Sequence, residues 1–346
     1  MLKRAFAWLA FVAFVFAFPA SAAPAPGATT SPNAEADSRF RAFGAWMQSL
    51  IAAMAPMNEA AARLGGHMQQ LPPPASDRNE RAQQVARIRT LIAEVQRATQ
   101  ESQAQLARIP RFEGDIPGVQ NRDINNLLTE AKGQTGRMLD YLNDIEAFAA
   151  AVVGANPSAT QQAARKIIRG GFLLVDNQAI LTRGRQSLFP RERSAHQLVG
   201  VGLQLYRAMS AAGGAWYRAR IEGDPQGGAE LQRTRFLELA GELEAGLREG
   251  RANLERERAM FASQRALAAK DPDLARILAR VEAVTKSYVD TFALGDELAA
   301  WLRARAGTSA SALAAQAGPD FILELSAFEQ RLQRSGAEAA ASIAQE

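Results

Sequence analysis

Residues 85–109 read VARIRTLIAEVQRATQESQAQLARI, and Pro110 follows. Val85, Ile88, Ile92, Val95, Thr99, Ser102, Leu106 and Ile109 recur three or four positions apart. That spacing places them on one face of an α-helix, while Arg, Gln and Glu fill the other faces. A strand would need apolar residues at every second position, and the stretch has no such alternation. Ser76 or Asp77 offers a side-chain oxygen to the first free backbone N–H groups, and Pro110 ends the helix.

The same pattern extends outward in both directions. The preceding helix begins at Asp37 or Ser38 and carries Phe40, Phe43, Met47, Leu50, Met54, Met57, Ala61, Leu64, Met68 and Leu71 before Pro72-Pro73-Pro74. The following one runs from about Asn121 to Gly154. Further helices are predicted to Leu188, from Pro190 to about Gly223, from Gly228 to Ala269, from Asp271 to about Ala306, and from Asp320 to the end. Residues Gly307 to Gly318 read as a small-residue connection. The fold is therefore all-α: about eight long amphipathic helices, joined by short connections that make neighbours antiparallel. The break at Pro190 suggests two four-helix bundles in tandem, residues 37–189 and 190–346. One long rod, with the fourth and fifth helices stacked end to end, is the alternative.

The first residues point to export. Lys3 and Arg4 precede an apolar run from Ala5 to Phe18, and Ala20-Ser21-Ala22 places small residues where a signal peptidase reads. Residues 1–22 are expected to be a cleaved signal peptide, residues 23–36 a flexible leader, and the mature protein periplasmic. The run is shorter than the roughly 17–25 residues of a membrane span, and no stable span is expected after cleavage.

Composition excludes several chemistries. Cys is absent, which removes thiol catalysis, disulfides and covalent haem attachment. The two His, His67 and His196, are far apart, so no metal site is expected and no cofactor is implied. Without Lys3 and Arg4, 38 basic groups face 36 acidic ones. That balance gives no footing for nucleic-acid binding. Asp140 and Asp144 share a helix face near Glu146 and are the best carboxylates for glycan hydrolysis, although acidic residues on a helix are usually just solvated. Residues Ala42 to Asn58 are uncharged, but Gln48, Ser49 and Pro56 favour a helix buried on several faces over one inserted in a membrane.

Two groups of residues remain as candidate sites. Pairing the seams across each short connection sets Met57, Thr99, Thr135 and Gln178 at one level. Pro56 beside them leaves the Ala52 carbonyl without its usual partner. Thr99, Thr135 and Gln178 form either a register-fixing polar layer or a small-ligand site at mid-bundle. Near the break, Arg183, Arg185, Arg191 and Arg193 face only Glu192, which suits anionic lipid head groups, wall polymers or an acidic protein. The leading functional expectation is a non-enzymatic envelope protein with a scaffold or macromolecular-interaction role. A ligand carrier or sensor, and a carboxylate-based enzyme acting on wall glycan, are the alternatives.

Overall fold

The computed structural model describes residues 34–344 except 70–76, 115, 117, 118, 155, 189–193, 270, 271 and 317–319. Residues read as signal peptide and most of the leader lie outside that range. Eight long helices follow in order: α1 (Ala34–Gln69), α2 (Arg78–Arg108), α3 (Asn121–Val153), α4 (Pro157–Ser187), α5 (Ser194–Arg220), α6 (Pro225–Ala268), α7 (Pro272–Ala306) and α9 (Asp320–Ala344). A six-residue helix, α8 (Ala310–Ala315), sits inside the connection read as irregular. Helix α1 begins at Ala34, so residues 34–36 of the expected leader are helical. No strand occurs among the described residues beyond one isolated bridge between Ile116 and Val119.

Local chemistry explains the helix ends. The Asp77 carboxylate accepts from the Asn79 and Glu80 N–H groups at 2.8 and 3.0 Å. Asn156 accepts from the Ala159 N–H at 3.0 Å, and Pro157 stands at the first turn of α4, where its missing N–H costs nothing. Between α5 and α6 the chain turns through Gly223 at φ 78°, a conformation suited to glycine. Asp224 then accepts from the Gly227 N–H at 2.9 Å and from Arg218 at 2.7 Å.

The first four helices pack as a row. Each meets the next; α1 only grazes α3, and α1 and α4 make no backbone contact among the described residues. The last helices close a ring: α5 packs on α6, α6 on α7, α7 on α9, and α9 back on α5. Helices α4 and α5 lie antiparallel along each other rather than stacked end to end. The Phe172 ring meets Tyr217 edge-on at 6.2 Å, and Ser210 bonds Asp176. A methyl group at Gly213 would overlap the Phe172 ring, so the glycine lets α4 approach. One apolar cluster runs from Trp46 in α1 to Leu325 in α9. The division expected between residues 189 and 190 falls outside the described residues.

No described helix is long and apolar enough to cross a membrane. The uncharged stretch of α1 instead buries Trp46, Leu50, Met54 and Met57 in the core. The Trp46 indole N–H donates to the Pro110 carbonyl at 2.9 Å and stacks with Phe43 against Phe112.

Candidate functional site

The seams bury the three polar residues singled out at mid-bundle: Thr99 and Thr135 are wholly buried, and Gln178 is 3% exposed. Their hydroxyls do not cross between helices. Thr99 donates to the Val95 carbonyl at 2.7 Å and Thr135 to the Lys132 carbonyl at 2.8 Å, each within its own helix. A buried hydroxyl that does cross from α2 is that of Ser102. It accepts from the Met57 N–H at 3.2 Å, next to Pro56 in α1. Between α3 and α4, the Asn177 amide donates to the Gln134 side-chain carbonyl and accepts from Arg137.

Gln178 opens onto a second, deeper group. It faces the phenol of Tyr206 in α5. Tyr206 donates to Oε1 of Glu329 in α9 at 2.9 Å, and Gln333 donates to the same oxygen at 3.2 Å. Glu329 is 1% exposed, and its Oε2 has no partner among the described residues. Burial raises its pKa to about 8, opposed by the Tyr206 hydrogen bond, so the carboxyl is largely neutral at pH 7. Burial also pushes Tyr206 well up. The Glu329 charge and hydrogen bond add to that rise, and the nearby Arg185 guanidinium works against it.

The two described arginines of the basic group point to different places. Arg183 is exposed on α4. Arg185, only partly exposed, lies near the Tyr206 phenol and borders a small apolar hollow with Met47, Leu50 and Ile51 of α1, Leu127 and Ala131 of α3, and Leu181 of α4. Burial lowers its pKa, the Tyr206 phenol opposes that fall, and no carboxylate pairs with it among the described residues. Arg191 and Arg193 lie outside the described residues, as do the side chains of His67 and His196.

Beyond Arg183, the outward face of α4 carries Arg165, Lys166 and Arg169. It also shows two large apolar side chains, Leu173 at 51% and Ile180 at 47% exposure. Arg165, Arg169 and Arg183 form no ion pair among the described residues. Asp176, the acid on this face, is engaged by Ser210. On α3, Asp140 is exposed. Asp144 is half-buried with its pKa raised, first by burial and last by Asp140, while Lys166 opposes the rise. Glu146 stands 3.9 Å from Arg89. These carboxylates lie along a helix flank. Among the described residues no three His, Asp or Glu gather as a metal site.

Sequence reading missed Tyr206 and Glu329. They are 123 positions apart, and each looks alone like an ordinary polar break in a seam. No protein family, curated protein or solved structure matches the chain.

Proposed function

We propose that this chain is an exported, non-enzymatic envelope protein that docks on an anionic lipid surface through the outward face of α4. The observation behind this reading is the combination on one helix face of Arg165, Lys166, Arg169 and Arg183 with exposed Leu173 and Ile180. Apolar side chains of this size on an exposed face are unusual only when grouped, and here basic residues surround them. Each basic residue near an anionic membrane contributes about 1 kcal/mol, and the two apolar side chains add burial on contact. The face is bordered by α3, where Asp144 feels Lys166, and by α5, where Ser210 bonds Asp176.

Co-sedimentation with vesicles tests the reading. The mature chain is expected to bind phosphatidylglycerol vesicles in a salt-sensitive way and to ignore phosphatidylcholine vesicles. A variant carrying Arg165→Gln, Lys166→Gln, Arg169→Gln and Arg183→Gln should lose that binding while keeping its melting temperature. Equal binding to both vesicle types, or an unaffected variant, would overturn lipid docking. Binding to purified wall polymer alone would move the partner to that class. N-terminal sequencing of the exported protein should find a start near residue 23.

A further inference from the structure

Helix α9 is held on its two sides by different chemistry. Its seam with α7 is the larger, and exposed ion pairs rim it. Arg331 grips Glu297 at 2.6 and 2.9 Å, and Arg305 holds Glu324 at 2.6 Å. Phe321 and Phe328 of α9 meet the Trp301 ring edge-on at 5.9 and 6.5 Å. The seam with α5 is smaller. Leu332 lies close over Gly202, and a buried polar link joins Tyr206 to Glu329.

That link depends on a proton. Tyr206 and Gln333 both donate to Oε1 of Glu329, so the carboxyl proton belongs on Oε2, which meets no partner among the described residues. Losing it would strand a charge on an oxygen shut away from water, and a buried charge is costly unless it is paired. The neighbouring cations are engaged elsewhere. On α5, Arg207 bonds Glu242 of α6. On α7, Arg305 bonds Glu324 and Arg303 bonds Glu244. On α9 itself, Arg331 bonds Glu297 and Arg334 is exposed. From α4, Arg185 reaches the Tyr206 phenol. The Glu329 carboxyl is shifted by burial and by the Tyr206 bond, with no cation acting on it among the described residues.

We propose that α9 is a pH-gated latch: when Glu329 loses its proton, the α5 seam opens, α9 stays hinged on α7, and Gly202 and Tyr206 become accessible. In the open state Oε2 meets water, which accepts the ionised form at no such cost. The closed state keeps the proton up to about pH 8, against an ordinary value near 4.5, so rising pH favours opening. The hinge does not share that sensitivity. Arg331 bonds Glu297 and holds its carboxyl below the usual carboxylate range, so the α7 rim stays ionised while Glu329 titrates.

Hydrogen exchange on the full mature chain, corrected for the base-catalysed rate of unstructured amides, reads the opening. Segments around Glu329 and Tyr206 should open about tenfold more for each pH unit between about 5 and 8, then level off. Segments of α2 should show no matching rise. Glu329→Gln keeps an acceptor for Tyr206 but has no proton to lose, so its α9 protection should be flat across the range. Tyr206→Phe removes the donor that supports the ionised carboxylate, and should move the levelling-off to higher pH. A residue that only packs would leave it in place. Should Glu329→Gln not fold, the wild-type curve and the Tyr206→Phe shift decide. A flat wild-type curve, a Glu329→Gln curve that follows the wild type, or an equal rise in α2 would overturn the latch. So would stronger protection of α9 at high pH, which would mean that Glu329 and Arg185 come together as an ion pair.

Discussion

The row of α1–α4 and the ring of α5, α6, α7 and α9 are made from the same kind of helix, yet they close differently. In the row each helix leans on its sequence neighbours, and the free flank between α1 and α4 holds the Arg185 hollow. In the ring α9 returns to cover both α7 and α5. The return depends on the connection after α7, which is packed rather than loose. Gln232 donates to the Arg305 carbonyl at 2.9 Å, Arg220 donates to the Ala314 carbonyl at 2.9 Å, and Leu313 is wholly buried. Trp301 and Arg305 then hold Glu324 of α9 at 2.5 and 2.6 Å. A closed ring encloses whatever polar groups its seams carry, and so Glu329 is stranded from water. An open row can keep a charge at its edge.

The largest expected effect follows from that enclosure. Glu329 holds its proton to about pH 8 when folded, against an ordinary value near 4.5. The native state therefore binds the proton more tightly than the unfolded chain. Its contribution to stability should be full below pH 4.5, fall as pH rises toward 8, and level off above it, by as much as about 5 kcal/mol. Glu329→Gln should flatten the slope in thermal melts between pH 5 and 9. Followed in single-tryptophan variants, the slope should appear in the Trp301 signal and be weaker in that of Trp46. Equal slopes would mean that row and ring unfold as one unit, and the contrast between them would have no energetic meaning.

Core truncation sharpens the same contrast. Phe236 is wholly buried in the ring, its centroid 5.5 Å from that of Trp301. Phe236→Ala should cost about 3–5 kcal/mol, because a cavity among several helices collapses poorly. Ile92→Ala in α2 should cost less, toward the lower end of about 2–5 kcal/mol, since α1 can settle onto α2. Chemical denaturation of both variants measures the difference. A larger loss at Ile92 would reverse the ranking.

A smaller effect tests the joint between the two regions. Gly213→Ala would press a methyl group into the Phe172 ring, forcing α4 away from α5. The expected cost is about 1–3 kcal/mol. Adding Phe172→Leu should recover part of it in a denaturation series. Without recovery, the close approach at Gly213 would not be what holds the row to the ring.

Much of the row was legible in the sequence because short connections between antiparallel helices leave little freedom of register. The seam pairing sets residue 145 near residue 167 and residue 135 near residue 178. Observed contacts at the same register include Asn177 with Gln134 and the closeness of Gly170 to Tyr141. Burial of Thr99, Thr135 and Gln178 follows from the same stripes. The ring was not legible. A stripe says which face is buried but not which helix covers it, and Tyr206 meets Glu329 only because α9 returns to α5. Arg185 was read with its neighbours as a surface charge. Position 185 faces inward because α4 is covered on two sides, by α3 and α5, which one helical stripe does not reveal.

The smallest effect concerns the kink at Pro56. Proline has no N–H, so the Ala52 carbonyl loses its helical partner and α1 opens locally. The next residue, Met57, is wholly buried, and its N–H donates to Ser102 across the α1–α2 interface at 3.2 Å. A hydroxyl directed at a backbone donor only contributes if that donor is displaced toward it. Ser102→Ala should then cost about 1 kcal/mol, the net contribution of one hydrogen bond in a buried seam. Pro56→Ala restores the missing N–H and straightens the turn, which draws the Met57 N–H back toward the Ala53 carbonyl. In that background Ser102→Ala should be nearly neutral, and the two substitutions should couple by most of the 1 kcal/mol in a double-mutant cycle. Strict additivity would show that Ser102 answers no need created by the kink. A coupled pair would mark the kink as the device that pins α1 to α2.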